Sequence, residues 1–161
     1  MRPMIEHILK EIDKALDNEM YFSALSLCLI LIDTCSKAEF DRITNKNKTR
    51  FTIWYDKYIG LFEDDGYGLP YMSGETVYQL RCFVFHQSTP NVKNIDKFRL
   101  IASDKEPLDI YGDSCAIESD GAKVYNLNLR RFCLVVTSVV REYYKNNKEK
   151  FSFIKYEIIH Q

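Results

Sequence analysis

Apolar residues recur at three- and four-residue steps near the start of the chain. The series that begins at Ile5 and Ile8 is interleaved with charges and predicts an amphipathic helix over residues 3–18. The next run, Tyr21–Phe40, is apolar on almost all sides as far as Asp33. A helix of that kind is typical of the centre of a domain or of an assembly.

Two segments of different character follow. Residues 41–50, DRITNKNKTR, are polar and basic and are interpreted as a connection. The aromatic residues of RFTIWYDKYIGLF, at 50–62, stand at helical steps and predict a third helix. Residues 63–74 hold three glycines and a proline, which predicts a loop.

A fourth helix is predicted over residues 76–85, with Ser73 as its N-terminal cap. Pro90 disfavours helical geometry in the residue before it, so this helix should end within 86–88. The second and fourth helices together carry much apolar surface for one thin bundle, and such surface usually marks an interface. We therefore expect a two-fold homodimer.

The middle of the chain changes to short β-type runs, at residues 97–103, 109–119 and 122–128. Asp120 and Gly121 form a hairpin-turn dipeptide between the last two runs. This pattern predicts a small antiparallel sheet of two or three strands.

The chain then returns to helical spacing over residues 127–150. The tail, 151–161, suits either a short strand or a last helical turn, and the sequence leaves both open. The predicted fold is therefore mainly all-α: a single domain, 1–161, of about five helices, with a β hairpin inserted at 95–128 before the last long helix.

Composition narrows the function classes. The net charge is −1 with 28% charged residues, so no global field steers the chain toward nucleic acid or an anionic membrane. The longest apolar run, 24–32, is too short to span a bilayer, and the mixed N-terminus does not resemble a signal peptide. We expect a soluble, cytoplasmic protein.

Five cysteines without a C-x-x-C pair favour neither a disulfide framework nor a zinc site, and no metal or cofactor is expected.

The segment TVYQLRCFVFHQSTP is mostly apolar and aromatic, yet it contains Arg81 and His86. The question is what these two polar side chains do there. Five residues correspond to about 140° around a helix, so the two side chains do not stack as a simple pair. The structural alternative is a buried neutral ring and an arginine with its stem on apolar surface. The functional alternative is a phosphate-binding fork beside a group that carries a proton near neutral pH.

LRCFVFHQ resembles the R-x4-6-H signature of the HEPN superfamily, small helical proteins of which many are metal-independent endoribonucleases in toxin–antitoxin and other defence systems. The order of the first three predicted helices is similar as well. The resemblance implies a dimer whose two copies of Arg81 and His86 line one cleft. It implies that His86 acts as general acid or base and that Arg81 stabilises phosphoryl charge. RNA and an antitoxin or other protein are the implied partners.

Two positions depart from that family pattern. A polar residue commonly follows the arginine, and here Cys82 stands there. In toxins paired with a nucleotidyltransferase antitoxin, a tyrosine stands second after the histidine, and here that position is Ser88. A catalytically silent HEPN-like module that binds protein, RNA or nucleotide is therefore the alternative to a nuclease.

Other polar residues have two interpretations each. Asp33 either orients Arg81 or marks where the second helix turns to solvent, and the cost of burying a carboxylate favours solvent. The basic segment 41–50 with Arg42 either contacts RNA phosphates or is a solvated loop. The carboxylates at 63–65 lack calcium-loop spacing and are interpreted as loop surface. Arg130 and Arg131 are expected to face solvent.

Overall fold

The computed structural model describes residues 3–60, 72–86, 95–102 and 114–159. The helices within these ranges are α1 (Met4–Asp17), α2 (Tyr21–Phe40), α3 (Asn47–Tyr55), α4 (Gly74–His86) and α5 (Leu129–Asn146). The strands are β1 (Lys97–Ile101), β2 (Ser114–Ile117) and β3 (Lys123–Asn128). The prediction of a mainly helical chain with a small sheet before its last long helix is confirmed.

Helix α2 is the centre of the structure and packs against α1, α3 and α5. Leu25, Cys28 and Leu29 have no exposed surface, which explains why this helix is apolar on several sides. Among the described helices, α2 is also the one with the length and mean hydropathy that a membrane span requires.

The third helix differs from its prediction at both ends. It begins at Asn47, so part of the basic segment is helical rather than a connection. After Tyr55 the chain continues as a π-helical turn, Asp56–Gly60. Residues 61–71, which hold most of the predicted loop, lie outside the described residues.

The start of α4 is fixed against α3 by a close backbone approach. A Cβ added to Gly74 would lie 2.4 Å from the carbonyl oxygen of Thr52, so only glycine fits there without displacement. The Gly74 N–H donates to Oδ1 of Asp56 at 2.7 Å, and the Thr76 N–H donates to Oγ of Ser73 at 3.2 Å. The predicted Ser73 cap is confirmed. The end of α4 was predicted within 86–88, and residues 87 and 88 lie outside the described residues.

The sheet has the order β1-β3-β2. Strands β2 and β3 form the predicted antiparallel hairpin around Asp120 and Gly121, where Gly121 has φ of 84°. The expectation that all pairing would be antiparallel is wrong, because β1 runs parallel to β3. Two 2.7 Å hydrogen bonds between Asp96 and Lys123 hold the starts of β1 and β3 side by side, and this sets the parallel direction.

Helix α5 follows β3 directly, and the side chain of Asn128 caps it by accepting from the Arg131 N–H at 3.1 Å. A 3₁₀ turn, Lys148–Phe151, comes after α5. The Phe151 ring packs edge-on against the Tyr144 ring at 5.1 Å. The described tail beyond this turn, 154–159, is neither helix nor strand, so neither of its two predicted alternatives holds there.

Candidate functional site

Arg81 and His86 lie on the C-terminal half of α4. Val77 and Leu80 are buried and face the core, whereas His86 is exposed at the end of the helix. Nη1 of Arg81 lies 3.5 Å from Nε2 of His86. The long arginine side chain thus spans the angle that separates the two residues around the helix.

The contact between Arg81 and His86 is a hydrogen bond in only one form of the imidazole. A guanidinium carries only donors, so it can bond Nε2 only when that nitrogen has a free lone pair. A hydrogen bond between these two atoms therefore requires the tautomer that carries its proton on Nδ1 and a lone pair on Nε2. The nitrogen nearest Arg81 is then the one able to accept a proton.

Asp33 of α2 is the partner of Arg81. Nε of Arg81 donates to Oδ2 of Asp33 at 2.8 Å, and the two side chains are 17% and 21% exposed. The sequence favoured a solvent-facing Asp33, and that interpretation is wrong. The desolvation cost of the carboxylate is offset by the guanidinium charge and by the water that both groups still reach.

Asn47, the first residue of α3, completes this arrangement. Its Nδ2 donates to Oδ1 of Asp33 at 3.3 Å, so each oxygen of the carboxylate meets a donor from a different helix. Sequence reasoning missed Asn47 because nothing in an isolated asparagine indicates a partner fourteen residues away.

The surroundings of Arg81 favour its charged form. Burial lowers its pKa, but the hydrogen bond and charge of Asp33 outweigh burial and raise the pKa above its ordinary value. The guanidinium carbon also lies 5.5 Å from the ring centre of Tyr78 and 5.6 Å from that of Phe85. These aromatic faces stabilise a cation and limit its motion.

The basic segment divides into structural and exposed residues. Arg50 is buried, and its Nη1 donates to Oδ1 of Asp41 at 3.2 Å and to the Thr44 carbonyl at 3.0 Å. Lys48 pairs with Glu75 of α4 at 2.8 Å on the surface. In contrast, Arg42 and Lys46 are exposed.

Arg130 and Arg131 are both only partly exposed, so the expectation that they face solvent is too simple. Nη2 of Arg130 lies 3.5 Å from the carbonyl oxygen of Leu16 and 3.5 Å from the Tyr21 hydroxyl. The Arg130 guanidinium therefore links the start of α5 to the connection between α1 and α2. The carboxylates at 63–65 lie outside the described residues.

A second polar cluster surrounds Glu39 of α2, and sequence reasoning did not find it. Its carboxylate accepts from the hydroxyls of Tyr58 and Tyr143, at 3.1 and 2.7 Å, and from Nζ of Lys57 and Lys150, at 3.4 and 2.7 Å. This cluster joins α2 to α5, to the turn at Asp56–Gly60 and to the turn at Lys148–Phe151.

A groove of about 400 Å³ runs between α1 and α5, with Leu9 and Tyr144 among its lining residues, and its lining includes neither Arg81 nor His86. Within the described ranges, no three His, Cys, Asp or Glu side chains are grouped so that they could hold a metal ion. Comparison of the chain with protein-family models, curated proteins and solved structures gave no significant match.

Proposed function

We propose that this chain is a metal-independent endoribonuclease of the HEPN type that acts as a dimer in defence or RNA metabolism. The observation that carries the proposal is the 3.5 Å contact between the guanidinium of Arg81 and the imidazole of His86 at an exposed helix end. A permanent cation beside a proton acceptor can promote attack by a hydroxyl on a phosphodiester, because the acceptor removes the hydroxyl proton and the cation stabilises the phosphoryl charge.

The reaction is an internal transfer within RNA. The 2′-hydroxyl gives its proton to Nε2 of His86, and its oxygen forms a bond to the adjacent phosphorus. The bond from phosphorus to the 5′-oxygen breaks, and that oxygen takes up the proton that His86 accepted. Arg81 stabilises the charge on the non-bridging oxygens, and the products are a 2′,3′-cyclic phosphate and a 5′-hydroxyl.

Exposed apolar side chains support the dimer. Phe83 is 43% exposed and stands three residues before His86, so the two share one face of α4. On α2, which carries Asp33, Phe22 is 61% and Ile30 is 38% exposed. Apolar side chains beside a polar site are typical of a surface that meets another protein.

A silent HEPN-like module that binds protein, RNA or nucleotide is the second candidate. Asp33 supports it, because its carboxylate already balances the charge of Arg81. Cys82, which directly follows Arg81, brings no strong hydrogen-bonding group to the site. In this candidate Arg81 contributes to binding, and no bond is broken.

RNA cleavage in EDTA separates the two candidates. We expect the wild type to release 2′,3′-cyclic phosphate ends and His86→Ala to lose roughly 10²–10⁴-fold in rate, the usual contribution of a general acid or base. Arg81→Ala should lose roughly 10²–10³-fold. His7→Ala and Arg141→Ala, which replace a histidine of α1 and an exposed arginine of α5, are the matched controls and should cleave normally. Wild-type protein that binds RNA without cleaving it would favour the silent module.

Light scattering tests the dimer separately. We expect twice the 19.0 kDa chain mass at micromolar concentration. A mass of 19.0 kDa would show a monomer, and a site formed by two copies of Arg81 and His86 would then be wrong.

A further inference from the structure

We infer that Asp33 and Asn47 are positioning residues that hold Arg81 by one nitrogen and leave its two terminal nitrogens outside the ion pair, where they can meet an RNA phosphate. The inference rests on the proposed function in taking RNA as the ligand. It concerns residues on α2 and α3 that have no place in the reaction itself.

The starting point is the form of the ion pair. Arginine and carboxylate groups that pair closely often make two parallel bonds, one to each carboxylate oxygen. Here a single hydrogen bond is made, from Nε of Arg81 to Oδ2 of Asp33 at 2.8 Å. Both terminal nitrogens of the guanidinium therefore remain outside the carboxylate pair.

Asn47 explains why the pair stays single. Its Nδ2 lies 3.3 Å from Oδ1 of Asp33, the oxygen that a second parallel bond would use. Asn47 also begins α3, where the positive end of the helix dipole favours an ionised carboxylate nearby. The asparagine thus orients the carboxylate and competes with Arg81 for its second oxygen.

One of these terminal nitrogens lies on the side of the proposed chemistry. Nη1 is the atom that approaches Nε2 of His86 at 3.5 Å. A phosphate held by the two terminal nitrogens would lie beside the imidazole. The planar fork suits two phosphate oxygens at once.

Loss of Asn47 should therefore have an unusual effect. In Asn47→Ala, Oδ1 of Asp33 is released and the carboxylate turns to form two bonds with Arg81. The ion pair becomes stronger, but the second bond takes up one of the terminal nitrogens that would hold the phosphate. A residue needed only for folding would instead lower stability when removed.

The experiment measures binding, cleavage and melting temperature on the same proteins. The binding probe is an RNA oligonucleotide with 2′-O-methyl groups, which has no free hydroxyl to attack. For Asn47→Ala we expect binding about tenfold weaker or worse, since a hydrogen bond to a charged group is lost. We expect kcat roughly 10²-fold lower, since a small misplacement of a catalytic group has that cost. The melting temperature should be unchanged or higher.

Two variants complete the design. Asn47→Ser keeps a donor at this position and should recover part of the binding and of kcat. Asn45→Ala removes an exposed asparagine two residues away and should match the wild type in all three measurements.

The outcomes separate the two proposals. If the wild type cleaves RNA and Asn47→Ala binds and cleaves RNA equally well, the positioning role is wrong. The proposal that the protein is a nuclease would still stand. Activity lost in proportion to a lower melting temperature would also overturn it. If the wild type cleaves no RNA but Asn47→Ala still weakens binding of the methylated RNA, the nuclease fails and the positioning role stands.

Discussion

Glu39 on α2 accepts a hydrogen bond from the hydroxyl of Tyr143 on α5, with 2.7 Å between the two oxygens. Lys150 reaches the same carboxylate oxygen at 2.7 Å from the 3₁₀ turn that follows α5. One side chain of the central helix therefore holds the C-terminal part of the described chain in place.

Glu39→Gln should lower stability. Burial alone would raise the pKa of Glu39, but its hydrogen bonds to Lys150 and Tyr143 outweigh burial and lower the pKa from 4.5 to about 2. Because the lysines are partly exposed and water screens the cluster, we expect a loss of about 1–2 kcal/mol in the free energy of unfolding. Urea unfolding measures it. Glu142→Gln, an exposed change on α5, is the control and should leave the midpoint unchanged.

The same cluster predicts a pH dependence. The folded pKa of Glu39 is depressed, so its contribution is present above the unfolded value and is lost as pH falls from 4.5 toward 2. The difference in stability between wild type and Glu39→Gln should therefore shrink over this range. A difference that stays constant down to pH 2 would contradict the assignment.

Gly74→Ala should loosen the junction of α3 and α4. The added Cβ would meet two backbone atoms of Thr52, at 2.4 and 3.0 Å, and backbone cannot move aside as a flexible side chain does. We expect a loss of roughly 1–3 kcal/mol, the usual range for overpacking. Gly60→Ala is the matched control, because among the described residues the atom nearest to its Cβ would be Oδ1 of Asp56, at 3.5 Å. A Gly74→Ala protein as stable as Gly60→Ala would contradict this close approach.

Lys46 and Arg50 should behave differently in RNA binding. Lys46 is exposed next to Asn47, so Lys46→Ala should reduce the salt dependence of RNA binding by about one unit of log–log slope at an unchanged melting temperature. Arg50 is buried and bonded to Asp41, so Arg50→Ala should lower the melting temperature. Fluorescence anisotropy over a salt series, with thermal melts, gives both results. If the salt dependence of RNA binding by Lys46→Ala equals that of the wild type, Lys46 makes no contact with an RNA phosphate.

Local patterns predicted most of the helices and the hairpin because their causes are local. Helical spacing defined α1, the long apolar run defined α2, and Asp120 with Gly121 marked the turn between β2 and β3. The direction of β1 was not predictable in this way. It depends on hydrogen bonds between Asp96 and Lys123, which are 27 residues apart.

The candidate site was predictable in part. The residue types identified Arg81 and His86, and the structure places them in contact. Asp33 was assigned to solvent because a carboxylate without a known partner is costly to bury, and its partner stands 48 residues away. Glu39 gave no signal at all, since its bond to Tyr143 joins residues 104 positions apart.

The distance along the chain between α2 and α5 has a consequence for biosynthesis. Cys28 of α2 lies against the Cys133 carbonyl of α5, 105 residues later. At roughly 5–20 residues per second, a ribosome needs about 5–20 s to add that length. During this interval the most apolar helix of the described chain lacks one of its covering partners. The nascent chain should therefore engage chaperones that bind apolar segments until α5 emerges.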